Sequence, residues 1–380
     1  MNEQNLNSAG RSTSRIINQT AIADIIYRRS GSVSKVLLAR ELGLSKPAIS
    51  ANVFDLINAG LVEERGEGES SKNGGRKPIM LYFNYNYRYI GAFDFSLKEP
   101  VCAVGDLSHR ILKLEKIHVD RDAPAGVKRQ AIADTFKEIL RSLNIPDEKL
   151  GIIVISHPGI IGDGNEVKYV DARHNPWTGI GLKSHLEKEY KVPLVLENDV
   201  KLSALGEMYE SKDLQDLIYV RCGVGLGAGV IVKGKIYDGV NRAAGEIGSF
   251  ICSNGHRLED VAAMDGLLER IGKGLTFKQV IELAKADDKD VAQAIGEIGG
   301  ELGRAMYNSS ILLDIPTIVF GGDYLHLGDA LFNAFDKAVA QSFLPFRPTV
   351  VKSGLREAAG IFGGFVMGRE QIIAQVVNAH

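Results

Sequence analysis

Residues 34–65 read SKVLLARELGLSKPAISANVFDLINAGLVEER, a stretch that asks for two short helices joined by a tight turn. Ser34 can cap a helix over Lys35–Leu42, since a serine oxygen accepts from the unpaired amides of a first helical turn. Gly43 breaks that helix, because glycine takes left-handed backbone at no steric cost. Ser45 can cap a second helix, in which Pro47 is tolerated in the first turn. That helix gathers Ile49, Val53, Leu56 and Ile57 on one face and ends near Gly60. The opposite face carries Pro47, Ala51 and Asp55, with Lys46 and Ser50 nearby. This is helix–turn–helix spacing, and such a second helix presents its N-terminal half to a DNA major groove. Ser45, Lys46, Ser50 and Ala51 are the candidate DNA contacts: Lys46 and Ser50 for phosphates or base edges, Ala51 for a thymine methyl. A small helical bundle that binds protein is the competing reading.

The flanks extend the pattern. Residues 14–29 place Ile17, Ala21 and Ile25 at helical spacing, with Ile22 and Ile26 beside them. After the second helix, LVEER and IMLYFN read as two strands around the polar loop GEGESSKNGGRKP, which together make a wing. Arg76 and Lys77 in that loop are a second candidate contact, since an arginine fits a narrow minor groove; a flexible charged linker is the alternative. Residues 1–84 are thereby expected to form a winged helix-turn-helix. Residues 1–90 hold 12 Lys and Arg against 8 Asp and Glu, whereas the rest holds 33 against 39. A basic head on an acidic body suits contact with phosphates.

The remaining composition is that of a globular chain, with 45% hydrophobic and 24% charged residues over 380 positions. That length calls for two or three units. No apolar run is long enough to span a bilayer, and the polar N-terminus lacks a secretory segment; a cytoplasmic protein with no membrane partner is expected. Cys102, Cys222 and Cys252 are odd in number and far apart, so no disulfide framework follows.

Residues 85–380 contain one pattern twice. RYIGAFDFS, VCAVGD and ILKLEKIHV read as strands, followed by a helix near Gly126–Leu143 and the buried strand GIIVIS. DLIYVRC, GAGVIV and KIYDG come later, then helices, then TIVFGG. Two copies of strand–strand–strand–helix–strand are the layout of a two-lobed actin-like ATPase fold, an α/β architecture whose ligands sit between the lobes. In LENDVKLSALGE a buried strand runs into a helix, so Asn198 and Asp199 stand at the carboxyl end of a strand, where open α/β folds bind ligands. A carboxylate beside an amide suits a pair of sugar hydroxyls, and both residues also favour helix caps. The helix DVAQAIGEIGGELGRAMYNSSILLD is either lobe core or a subunit contact.

Across nearly the whole chain the sequence resembles the ROK family of repressors and sugar kinases, and in its winged head the xylose-repressor-like branch. SHPGIIGDG, NPWTGIGLKSHLEKEYKVPLVLENDVKLSALGE, RCGVGLGAGVIVKGKIYDGVNRAAGEIG and the late FGGD carry the resemblance. It implies that Asp199 matches the general base of the kinases, that Glu246 and Glu259 match two sugar-contacting glutamates, and that Pro158 and Gly159 match a loop closing over the sugar. Asn175 and Trp177 lie in a segment that walls the pocket or, for Trp177, joins the core.

Two departures bear on function. The kinases carry Asp-x-Gly-Gly-Thr at the first turn, where bare amides cradle ATP phosphates; here Asp94 is followed by Phe95, Ser96, Leu97 and Lys98, while the second turn CGVGLGAG at 222–229 is intact. The family's zinc site has a His after GEIG and three cysteines. Here Ser249 replaces the His, and Cys252 and His256 remain as two ligands, short of the three or four zinc takes. The expectation is a sugar-responsive transcriptional repressor that is not an enzyme. It uses neither ATP nor zinc, binds operator DNA and a monosaccharide or sugar derivative, and assembles as a homodimer or dimer of dimers. An ATP-dependent sugar kinase with a regulatory head, and a DNA-binding protein whose pocket is a relic, are the alternatives.

Overall fold

The structure is a computed structural model that describes residues 3–67, 77–97, 99–170, 176–211, 214–252, 254–272, 274–340 and 347–379, with side chains from Thr13 onward. Three helices open the chain: Glu3–Arg28, Lys35–Leu42 and Lys46–Asn58. Ser34 and Ser45 cap the second and third as expected, and Gly43 closes the second at φ 65°. Strands Val62–Glu67 and Ile79–Phe83 pair antiparallel, and the short strand Val33–Ser34 joins them on the far side of Ile79–Phe83. Ile49, Val53 and Leu56 are buried. The first helix differs from expectation: it begins at Glu3, buries Ile22, Ala23 and Ile26, and leaves Ile17 62% exposed.

Two five-stranded sheets then repeat one topology. In the first, Tyr89–Asp94, Val101–Gly105 and Ile111–Lys116 form an antiparallel meander. Leu150–His157 lies parallel to Tyr89–Asp94 on its other side, and Leu194–Asn198 parallel beyond that. In the second, Leu217–Cys222, Leu226–Val232 and Lys235–Ile236 make the meander, with Thr317–Gly321 and then Thr349–Lys352 parallel outside it. The strand–strand–strand–helix–strand layout therefore occurs twice, each copy with a fifth strand. The helix expected near Gly126–Leu143 spans Ala125–Ser142. The long helix Lys289–Leu313 belongs to the second lobe's core, where it buries Val291, Ile295, Ile298, Leu302 and Met306.

Two helices join the lobes. Asp199–Glu210 leaves the first sheet and packs on strands of the second; Ala359–Asn378 returns and covers Tyr89–Asp94 and Leu150–His157 of the first. They touch backbone to backbone. A Cβ on Gly206 would stand 2.6 Å from the Ala359 carbonyl oxygen, and one on Gly363 would fall on that of Leu202. The head is not separately cored: Ile22, Ile26, Leu38 and Val53 share one apolar cluster with Ile372, Ile373 and Val376 of the C-terminal helix. No helix among the described residues is long and apolar enough to cross a membrane.

Candidate functional site

Three parallel strands end at the floor of the interlobe cleft. Their register pairs Asn198 with His157 and Asp94 with Ser156, so these side chains share the rim at the strands' carboxyl ends. Asp94 is buried and accepts from Ser156 Oγ at 3.1 Å and the Ser96 amide at 2.9 Å. Burial raises its pKa, opposed by the Ser96 bonds and the charge of Arg221.

Asn198 ends its strand and caps the helix Asp199–Glu210. Its Oδ1 accepts from the Val200 and Lys201 amides, both at 3.0 Å, and its Nδ2 donates to the Gly159 carbonyl at 2.9 Å. Most of its hydrogen-bonding capacity is thus spent on the cap and on tying down the Pro158–Gly159 loop. Gly159 has φ 102°, and a side chain there would collide with the Tyr169 carbonyl, so the loop's path depends on glycine. Asp199 is 2% exposed and ion-paired with Arg221, whose Nη1 donates to Ser96 Oγ at 2.9 Å. A guanidinium from the second sheet therefore spans the cleft to the first lobe. Arg242 makes a second bridge: it pairs with Glu197 at 2.6 Å and Asp238 at 3.1 Å, and its Nε donates to the Ile161 carbonyl at 2.8 Å. Lys201 is buried and pairs with Asp238 at 2.6 Å.

Glu246 is open to solvent, and Glu259 stands in the first turn of Leu258–Ala262. Desolvation raises the pKa of Glu246, and the charges of Asp199 and Glu259 raise it further; Gly248, two residues after Glu246, lies against the Glu259 carboxyl group. Such a set of acceptors suits a polyol, whose hydroxyls donate. Of the expected sugar contacts, Asn198, Asp199, Pro158 and Gly159 stand together at the carboxyl end of the first lobe's strands, and Glu246 and Glu259 come from the second lobe.

The first glycine-poor turn is filled. Phe95 is 3% exposed and packs 5.7 Å from the Trp177 ring and 6.3 Å from Phe93. Trp177 therefore lies in the first lobe's core and does not wall the pocket. Ser96 is engaged by Asp94 and Arg221. Lys98 and Asn175 lie outside the described residues. In the second turn Gly225 backs onto the Glu259 carboxyl group, and Gly248, in the short turn Ile247–Ser249, backs onto it from outside that turn. Ser249 is exposed, Cys252 is half-buried, and the Cys252 amide donates to the His256 carbonyl at 2.8 Å. Among the described residues no three His, Cys, Asp or Glu side chains form a group able to hold a metal.

In the head, Ser45, Lys46, Pro47, Ser50 and Ala51 are all exposed at the start of Lys46–Asn58. Ser45 Oγ accepts from the Ala48 amide at 3.3 Å, so it serves the helix first. Asp55, read from the sequence as part of that outward face, turns inward: it accepts from Arg15 at 2.7 Å and Gln19 at 2.9 Å. Phe54, 61% exposed, takes its place beside Ala51. Asn52 is buried and donates to the Ala48 carbonyl at 2.8 Å. Arg76 lies outside the described residues; Lys77 is exposed.

Arg221, Arg242 and Phe54 escaped the sequence reading. A lone cation at the end of the apolar strand LIYVRC, just before a glycine turn, was a signal for Arg221. Arg242 has one near partner, Asp238 four residues before it, but the two that carry it across to the first lobe, Glu197 and Ile161, are 45 and 81 residues away.

Comparison with known proteins places this geometry. The sequence model described as ROK family matches residues 91–371. The xylose repressor of Bacillus spizizenii is 28% identical over 343 residues, covering 87% of this chain and 88% of its own length. The DNA-binding transcriptional dual regulator NagC of Escherichia coli K12 is 25% identical, covering 96% and 95%. Among solved structures, a ROK family transcriptional regulator described as a homolog of the E. coli MLC protein superposes with a TM-score of 0.76 at 19% identity, covering 96% of this chain and 98% of its own, which establishes a shared fold.

Proposed function

This chain belongs to the ROK family, and on that premise we propose that it is a sugar-responsive, DNA-binding transcriptional repressor whose effector enters the interlobe cleft. The observation that carries the reading is a capped helix with an exposed N-terminal face, built onto a two-lobed domain whose cleft gathers Asp199, Glu246 and Glu259. Relatives of similar length are named repressors of xylose and N-acetylglucosamine systems, which supports a monosaccharide or sugar derivative as effector. Lys46, Ser50 and Ala51 read the major groove, and Arg76 adds a contact from the wing. Residues 1–84 act as the head and 85–380 as the sensor. Two copies set their heads on half-sites one helical turn, or a multiple, apart.

The sensor acts without catalysis in this reading. The Asp199 carboxylate faces Arg221, where a general base needs a free lone pair aimed at the substrate hydroxyl. Phe95 and the engaged Ser96 also replace the flexible turn that would cradle phosphates. Retention of Asp199 and of the second glycine turn favours the kinase alternative, and a sugar-dependent ATPase assay separates the two.

The test is fluorescence anisotropy of a duplex selected by the full-length protein from a random library. D-Xylose, D-glucose, N-acetylglucosamine and their phosphates are then titrated in. At least one is expected to change operator affinity. Failure of all of them, or failure to select any sequence, would overturn the reading.

A further inference from the structure

Among the described residues Arg369 is the largest fully buried side chain, at 1% exposure. Its Nε and Nη1 find no hydrogen-bond partner among the described residues, and the nearby carboxylate of Glu370, 3.6 Å away, is half-exposed. A cation buried in this way is costly unless something else stabilises it. Two aromatic faces do so. The guanidinium carbon lies 4.2 Å from the centre of the Tyr27 ring and 4.7 Å from that of Tyr209, and Nη2 donates to the Tyr209 hydroxyl. Desolvated cation–π contacts of this kind are among the stronger ones. His109 closes the side of the stack, its Nδ1 3.4 Å from the Tyr27 hydroxyl and its ring 5.3 Å from Tyr209.

The three members of the stack belong to three different parts of the molecule. Tyr27 lies in the last turn of the head's first helix, Arg369 in the C-terminal helix, and Tyr209 in the last turn of Asp199–Glu210. That last helix starts at the candidate sugar contact, so the cleft and the stack are its two ends, roughly 15 Å apart at 1.5 Å per residue. Midway, Gly206 and Gly363 hold the cleft helix and the C-terminal helix in backbone contact. At that point the two helices meet backbone against backbone, which leaves little slack to absorb a displacement, and close-packed interiors pass displacements on.

We propose that the Tyr27–Arg369–Tyr209 stack is the element that couples the effector cleft to the DNA-binding head. The proposal rests on the sugar-responsive repressor reading. A ligand that engages Asp199 competes with Arg221 and shifts the first turn of the cleft helix. The helix carries that shift to Tyr209, and Arg369 relays it to Tyr27 and so to the angle of the head. Arg369 and Tyr27 touch neither ligand; they are positioning residues.

The test uses the full-length protein, the selected duplex and the monosaccharide that responds most strongly among those titrated above. Operator Kd is measured with and without sugar, and sugar Kd with and without operator; linkage requires both ratios to give one coupling factor. In the wild type that factor is expected in the ordinary allosteric range of about 5–150-fold. In Arg369→Met, and independently in Tyr27→Leu, each single-ligand Kd should stay within about threefold of wild type while the factor falls to about one. Tyr27→Phe keeps the ring under the guanidinium and should keep the coupling. A purely structural anchor would instead lower stability and leave the factor unchanged. Wild-type coupling in a folded Arg369→Met or Tyr27→Leu protein overturns the proposal, with the repressor reading intact. A wild-type factor of one removes the repressor reading itself and the coupling with it.

Discussion

Asp199→Ala is the substitution whose consequences the cleft geometry defines most closely. The carboxylate is 2% exposed and holds Arg221. Deleting one partner of a buried ion pair costs about 3–5 kcal/mol, because the other charge is left uncompensated. Arg221 keeps 24% side-chain exposure and its bond to Ser96 Oγ, so solvent screening and that bond recover part of the loss; a cost of about 2–3 kcal/mol is expected. Sugar binding loses a charged acceptor, a contribution of about 1.5–3 kcal/mol, which weakens affinity about tenfold to hundredfold. Operator affinity without sugar should stay near wild type. Asp199→Ala combined with Arg221→Met separates the two roles of the carboxylate. With both charges gone stability should return toward wild type, while sugar affinity should remain low. Urea denaturation followed by circular dichroism reads the first quantity, and operator anisotropy against titrated sugar reads the second. A wild-type sugar midpoint in the single variant, or one regained in the double variant, would show that Asp199 serves only as the partner of Arg221.

Lys46→Ala should weaken operator binding and leave sugar binding intact; if Lys46 meets only phosphate, the slope of log affinity against log salt should become shallower by about one unit, and unchanged affinity after Lys46, Ser50 and Arg76 are all replaced by Ala would move the DNA surface elsewhere. The purified protein should not phosphorylate sugars, and sustained ATP turnover that depends on both a sugar and Asp199 would refute that. Stability should fall on mild acidification, because burial, and secondarily the charge of Arg369, lower the His109 pKa to about 3. Above an ordinary histidine pKa of about 6.5 neither state binds the proton; below it the unfolded chain takes a proton that the native state refuses, costing up to about 1.4 kcal/mol per pH unit until the folded pKa is reached. Burial shifts His157 in the same direction. Urea midpoints at pH 7.0 and 5.5 test this, and His109→Asn, which tolerates the residue's φ of 67°, should flatten the dependence; an unchanged slope would place the proton uptake elsewhere.

Much of the architecture was legible because it is written in local chemistry. Ser34, Gly43 and Ser45 cap and break helices through bonds to residues within one turn, and the alternation of apolar runs marked both sheets. Asn198 was readable as a cap for the same reason. Asp55 was misplaced because helical periodicity assigns a face but not a partner: Arg15 and Gln19, on another helix, draw it inward. Trp177 was ambiguous until Phe95 was seen to fill the space beside it. The fifth strand Thr349–Lys352 is short and mostly exposed, so no apolar run announced it.

The sequence by itself determined the helix–turn–helix of the head, the duplicated α/β lobes, the family, and the cluster of carboxylates around Asp199. The first two follow from residue type and near-neighbour spacing, which set caps, turns and periodicity; the family and the carboxylates Glu246 and Glu259 came from the motifs shared with it. Only the tertiary structure decided what those carboxylates face and what binds head to sensor. The Arg221–Asp199 pair joins residues 22 apart, and Arg369 meets Tyr27 and Tyr209 from helices at opposite ends and in the middle of the chain. A buried charge takes whatever partner packing brings within a few ångströms, and that choice is made only when the whole chain has folded around it.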